Sequence, residues 1–129
     1  MSRNPLLKFF VKEYRKKIAK QLFIEANGIV NRGLFEGMHL GEEIHWGKAD
    51  VASKIFGLYE SEVMEFIKDK HYKSLINLGA ADGYYPIGMI MQRMIRHAYC
   101  FEENPLGAKY INENAKLNHL NGAISIYGR

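Results

Sequence analysis

Between Ser74 and Tyr85 the chain reads Ser-Leu-Ile-Asn-Leu-Gly-Ala-Ala-Asp-Gly-Tyr-Tyr, and from Ala98 to Pro105 it reads Ala-Tyr-Cys-Phe-Glu-Glu-Asn-Pro. An apolar run of strand length ends in a turn of small residues. A helix-like segment follows, and a second apolar run ends in an acid. That layout belongs to a βαβ unit with a nucleotide-type pocket, and it constrains the fold more than any other part of the sequence. The turn lets backbone approach a ligand, and the acid accepts hydrogen bonds from ribose hydroxyls.

The rest of the chain fits around this unit. Leu7, Phe10, Val11, Tyr14, Ile18 and Leu22 recur at steps of three and four, which predicts an amphipathic helix from Pro5 to about Ala26, stopped by Asn27-Gly28. Residues 28–49 read as a glycine-rich loop carrying Phe35, Met38 and Trp46. Asp50 can cap a helix opening at Val51 and interrupted at Gly57, and a second helical piece starts near Glu60 with Val63, Phe66 and Ile67 facing inward. Strand Leu75–Leu78, a helix from Tyr85 to Arg96 and strand Ala98–Phe101 come next. A helix from Pro105 to about Asn118, a turn at Leu120-Asn121-Gly122 and strand Ala123–Tyr127 complete the chain. Strand and helix alternate, so a parallel sheet with right-handed crossovers and strand order 3-2-1 is expected.

The charge is unevenly placed. Residues 1–20 hold seven basic side chains against Glu13 alone, a charge of +6, so the remainder carries −2 of the net +4. A nucleic-acid-binding domain more often spreads its cations over a folded face. For the basic helix, a solvated docking face comes first, contact with a membrane surface through residues 5–20 second, and RNA last. No apolar run is long enough to span a bilayer, and the start lacks a signal-peptide pattern. With the single cysteine Cys100, a cytoplasmic location follows by default.

Gly79 and Gly83 flank Ala80-Ala81-Asp82 at the strand-to-helix turn, where ligands meet backbone donors. The pattern is neither G-x-G-x-x-G nor a P-loop, and a tight turn that binds nothing has the same spacing. Glu102 falls 19 residues after Gly83, at the end of the second strand, where a carboxylate can bridge both ribose hydroxyls. Tyr59 suits either the pocket or the core, and Trp46 a lid or simple packing. His39, His45, His71, His97 and His119 show no metal-ligand spacing, so no metal is expected. Cys100 sits within a strand as an inert thiol, and Ser53, Ser61 and Ser74 lie in no nucleophile elbow.

Ile76 to Tyr85 resembles the first motif of FkbM-like S-adenosylmethionine-dependent methyltransferases. Phe101-Glu102-Glu103-Asn104-Pro105 is similar to their Phe-Glu-Pro-Asn-Pro box, and Asn114 to Asn121 to the Asn-rich segment that follows. The resemblance covers residues 74–127, with Asn77 in place of an acid and Glu103 in place of a proline. It implies S-adenosyl-L-methionine as cofactor, held along Asn77, Gly79, Ala80, Ala81, Asp82, Gly83 and Tyr85, with Glu102 on the ribose and Tyr59 near the amino-acid end.

The expected fold is α/β, a Rossmann-like class I methyltransferase three-layer sandwich with an incomplete parallel sheet. Residues 1–49 form a basic helix and loop, and 50–129 the N-terminal half of the methyltransferase domain. The expected reaction is methylation of a small molecule or sugar, at oxygen by family resemblance, with no catalytic residue assigned and the chain alone inactive. Expected partners are a small-molecule acceptor, no nucleic acid, peripheral membrane contact, and self-association through the uncovered sheet edge. The rivals are a non-catalytic half-domain and a dinucleotide binder.

Overall fold

The computed structural model describes residues 4–42, 50–120 and 122–128. The elements are α1 Pro5–Glu25, α2 Asp50–Ile55, α3 Ser61–Ile67, β1 Ser74–Leu78, α4 Tyr84–Met91, β2 His97–Phe101, α5 Pro105–Leu117 and β3 Ile124–Tyr127. The strands are parallel in the order β1-β2-β3, with Ile76 opposite Tyr99 and Tyr99 opposite Ser125. This is the β-α-β-α-β succession of a Rossmann-like sheet, and the expected strand order holds.

Local chemistry sets the helix ends. At α1 and α5 an asparagine, Asn4 or Asn104, accepts the N–H of Leu6 or Leu106 at 3.0 Å, and a proline occupies the first helical position. Three helices close with the same double hydrogen bond. After α4, Met94 N–H reaches the Met89 carbonyl and Arg93 N–H the Ile90 carbonyl, with Arg93 at φ +57°. Asn27 after α1 and His119 after α5 take the same left-handed place. The left-handed Arg93 ends α4 at Met91, five residues short of the expected Arg96, although Met94 and Ile95 stay buried beyond it.

One face of the sheet packs. Ala98, Cys100, Leu75, Ile124 and Ile126 join a core with Ile87, Met89 and Ile111. The other face leaves Ile76, Leu78, Tyr99, Phe101 and Tyr127 exposed, with Phe101 and Tyr127 stacked at 5.0 Å. The α/β, Rossmann-like arrangement holds, but among the described residues the sheet is covered on one face only, so two of the three expected layers are present.

Residues 28–42 form a loop, as expected, but one that enters the core. Val30, Phe35, Met38 and Leu40 are buried in the same core as α4, and Ile29 bridges His39. Asn114 and Asn118 of α5 hold this segment: Asn118 accepts His39 N–H at 2.7 Å and donates to its carbonyl at 2.8 Å, and Asn114 accepts Gly41 N–H at 2.8 Å.

The amphipathic stripe of α1 is largely uncovered, and one expectation of burial, in α3, is corrected. Leu7, Phe10, Val11, Tyr14 and Ile18 of α1 are exposed; only Ala19 within the helix is buried, while Phe23 and Ala26 reach the core. The stripe is helical, but among the described residues only the last turns of α1 find a packing partner. In α3, Met64 is buried and Ile67 half-buried, whereas Val63 and Phe66 face outward, Phe66 beneath Lys70 at 4.2 Å. No helix among the described residues is long and apolar enough to cross a membrane. Trp46 and His45, and the boundary expected between residues 49 and 50, involve positions outside the described residues.

Candidate functional site

The turn after β1 alternates left-handed residues, Gly79 at φ +71°, Ala81 at +49° and Gly83 at +79°. Gly79 and Ala80 donate to the Phe101 carbonyl at 2.8 and 3.2 Å, which ties the turn to the end of β2. Ala81 is the informative position, because a non-glycine residue held there costs about 1–2 kcal/mol that the surroundings must offset. Its N–H donates to Glu102 Oε2 at 2.8 Å, while Glu102 Oε1 accepts Asn104 N–H at 2.9 Å. Glu102 therefore joins the turn to the start of α5. Gly107 makes this possible, since a Cβ there would overlap the Glu102 side chain and come within 3.1 Å of the Ala81 carbonyl. A Cβ on Gly79 would meet nothing within 4 Å, so that glycine borders open space.

That space is a cavity of about 260 Å³ at the carboxyl end of β1. Asn77, Gly79, Ala80, Ala81 and Asp82 form one wall, Tyr84 and Tyr85 of α4 another, and Asp50, Lys54, Tyr59 and Glu60 the third. Seven of the nine expected residues thus meet around one cavity. Gly83 does not line it; it is buried against Ile87 and Ile111. Nor does Glu102, whose oxygens both hold backbone N–H groups beside the turn. Two carboxylate oxygens offer about four acceptor positions, so Glu102 keeps acceptor capacity.

Asp82 is buried, and its Oδ2 pairs with Lys54 Nζ at 2.8 Å. Its Oδ1 accepts Tyr84 N–H at 3.2 Å, and its carbonyl accepts the Asn114 side-chain amide at 2.8 Å. The Lys54 ammonium stands 4.8 Å from the Tyr59 ring centre and 5.1 Å from that of Tyr84, and the two rings meet edge to face. The Tyr85 hydroxyl donates to Glu60.

Among the described residues three carboxylates, Asp50, Glu60 and Asp82, face this cavity against one ammonium. Tyr59 registers all three: burial raises its hydroxyl pKa, and the negative charges of Glu60, Asp50 and Asp82 raise it further. Burial also raises Tyr84, with Asp82 next, and raises Tyr85, with the Glu60 hydrogen bond next. The described part of the wall thus favours a cationic ligand, and its one ammonium is already paired with Asp82.

Sequence reasoning missed Asp50, Lys54, Glu60 and Tyr84. Asp50 and Lys54 stand four apart on one helix face just before the Gly57–Glu60 segment, the one local signal available. Away from the cavity, Cys100 is fully buried, and burial pushes its thiol up to about 11, so it stays protonated.

No family model matches the chain, so the FkbM-like resemblance stays one of motifs. The chain is 32% identical over 82 residues to the tRNA(Phe) (4-demethylwyosine(37)-C(7)) aminocarboxypropyltransferase of Methanocaldococcus jannaschii, covering 61% of this chain and 32% of that protein. The chain therefore spans about a third of the length of that curated relative. Among solved structures, a candidate RNA methyltransferase of Pyrococcus horikoshii is 16% identical at a TM-score of 0.45, over 84% of this chain and 49% of that one. A candidate transferase of the same organism is 20% identical at 0.45, over 92% and 48%. At that TM-score the likeness is loose, and the fold assignment rests on the chain's own topology. The relative's named substrate is a transfer RNA, which corrects two expectations: that the acceptor is a small molecule and that nucleic acid is not a partner.

Proposed function

We propose that this chain carries the donor-binding part of an S-adenosylmethionine-dependent transferase that modifies RNA, with methyl transfer as its reaction. The observation that supports it most is the excess of carboxylates around an open glycine at the carboxyl end of β1. S-adenosylmethionine bears a sulfonium and an ammonium, and its sulfonium supplies an activated carbon to a nucleophile. A dinucleotide brings two phosphates instead, which Asp50 and Glu60, the carboxylates not neutralised by Lys54, would repel.

The chain's own residues have defined work in this reading. Asp50 and Glu60 are placed to hold a ligand ammonium, and Asn77 offers an amide from the strand end. Lys54 and Asp82 neutralise each other, which keeps the wall rigid between the turn and α2. Tyr59, Tyr84 and Tyr85 pack edge to face and exclude water from that wall. Glu102 fixes the turn and keeps lone pairs for ribose hydroxyls beside Ala81. No residue on this wall is proposed as a base for the acceptor.

The relative's name favours a second reading, transfer of an aminocarboxypropyl group, since the same sulfonium carries that substituent as well. Incubating the protein with transfer RNA and S-adenosylmethionine, then weighing the released nucleosides, separates the readings. Added methyl mass supports the first and added aminocarboxypropyl mass the second. S-adenosylhomocysteine binding without either product leaves the chain a cofactor-binding module, and NAD binding in its place overturns the proposal.

A further inference from the structure

At the opposite end of the sheet, before β1 and β2, a second cavity of about 420 Å³ opens between residues 71–73 and 93–96. Its walls are His71, Tyr72, Lys73, Arg93, Met94, Ile95 and Arg96, none of them acidic. The two segments are laced together by backbone: Tyr72 N–H donates to the Met94 carbonyl at 2.8 Å and Arg96 N–H to the Lys73 carbonyl at 3.2 Å. Met94 and Ile95 are anchored in the core, so the flanking Arg93 and Arg96 are left in solvent beside Lys73. None of these three cations pairs with an acid among the described residues. The Tyr72 ring is 53% exposed on the same cavity.

The geometry points to this cleft as a subsite for RNA, its three cations meeting backbone phosphates and Tyr72 stacking on an unpaired base. Cations around an exposed ring are what single-stranded nucleic acid needs, because phosphates bring the charge and every base has a face to stack. A lone anion would use the cations and leave the ring idle. The cleft is held by backbone and core anchors, so the ordering that opposes binding is confined to the side chains. β1 is five residues long, so the cleft and the donor cavity lie on the order of 16 Å apart along the strand, and one folded RNA can touch both. The inference rests on RNA as the substrate of the donor site.

The test is fluorescence anisotropy with labelled transfer RNA over a salt series. The variants are Lys73→Gln/Arg93→Gln/Arg96→Gln, Tyr72→Ala, and Lys12→Gln/Lys16→Gln/Lys17→Gln in α1 as a comparator. Calorimetry with S-adenosylhomocysteine checks each variant, and Arg96→Gln alone stands in if the triple variant fails to fold. The cleft triple should bind at least tenfold more weakly at low salt, with the slope of log affinity against log salt reduced by about 2 to 3. Tyr72→Ala should lose roughly fivefold or more with the slope unchanged. If the parent binds RNA and the cleft variants bind as well as it does, or only the α1 variant changes the slope, the cleft is not the subsite while the RNA reading stands. If the parent binds no RNA, the reading and the cleft fall together.

Discussion

Lys54 and Asp82 are both about 95% removed from solvent, and each finds its opposite charge in the other. Such a pair is poor evidence of net stabilisation, because desolvation offsets the attraction, yet removing one partner strands the other charge. Asp82→Ala should therefore cost about 3–5 kcal/mol in urea unfolding. Lys54→Met/Asp82→Asn should cost clearly less than the two single changes summed. Additive costs would mean the two side chains are not coupled. A second residue-scale effect concerns alkali. The Cys100 thiol is pushed up by burial from 9.0 to about 11, so it is held neutral in the fold at pH values where the unfolded chain ionises it. Its contribution is complete below pH 9 and is lost as pH rises toward 11. Tyr84 and Tyr85, raised from 10.0, add to the loss at higher pH. Urea midpoints measured from pH 8 to 11 should fall, and in Cys100→Ala they should fall less steeply; equal slopes would contradict this.

Elements were legible where the signal was local. Apolar runs bounded by turn residues located β1, β2 and β3, and Asn27-Gly28 and Pro105 marked helix ends whose hydrogen bonds the structure supplies. Pairings distant in sequence were not legible. Nothing about Lys54 names Asp82, 28 residues later, and nothing about a glycine-rich stretch says that Val30, Phe35 and Met38 enter the core. Asn114 and Asn118 read as helix residues, yet they bind the 39–41 segment, so Asn118→Ala should cost about 1–3 kcal/mol by leaving His39 groups unpaired. The left-handed ends allow the opposite change. His119 sits at φ +58° after α5, and His119→Gly should raise stability by about 0.5–1 kcal/mol, read as a higher urea midpoint. An unchanged or lower midpoint would mean that the His119 side chain makes up the backbone cost.

At the scale of the whole chain, charge and apolar surface are segregated. Carboxylates gather at the carboxyl end of β1, and cations gather at the amino end, around the 71–73 and 93–96 cleft. A donor bearing positive charge and an acceptor bearing negative charge would be drawn to opposite ends of one small sheet. The N-terminal excess of lysine and arginine drew attention to α1, and the cationic cleft stayed hidden because its residues lie some 20 positions apart. The turn, Tyr59 and Tyr85 were readable as candidates for one cavity, whereas Tyr84 was not, and Glu102 holds the Ala81 N–H beside the cavity instead of lining it.

The measurement closest to the central claim is calorimetric titration of S-adenosylhomocysteine, with NAD as comparator and Gly79→Val and Glu102→Ala alongside. Binding near micromolar is predicted, corresponding to about 8 kcal/mol. Gly79→Val should abolish it, because the new side chain enters open cavity from a left-handed backbone. Glu102→Ala should weaken it by about 1.5–3 kcal/mol through the freed turn and the lost acceptor. A folded chain that binds NAD instead, or that binds S-adenosylhomocysteine equally well with Gly79→Val, would contradict the account.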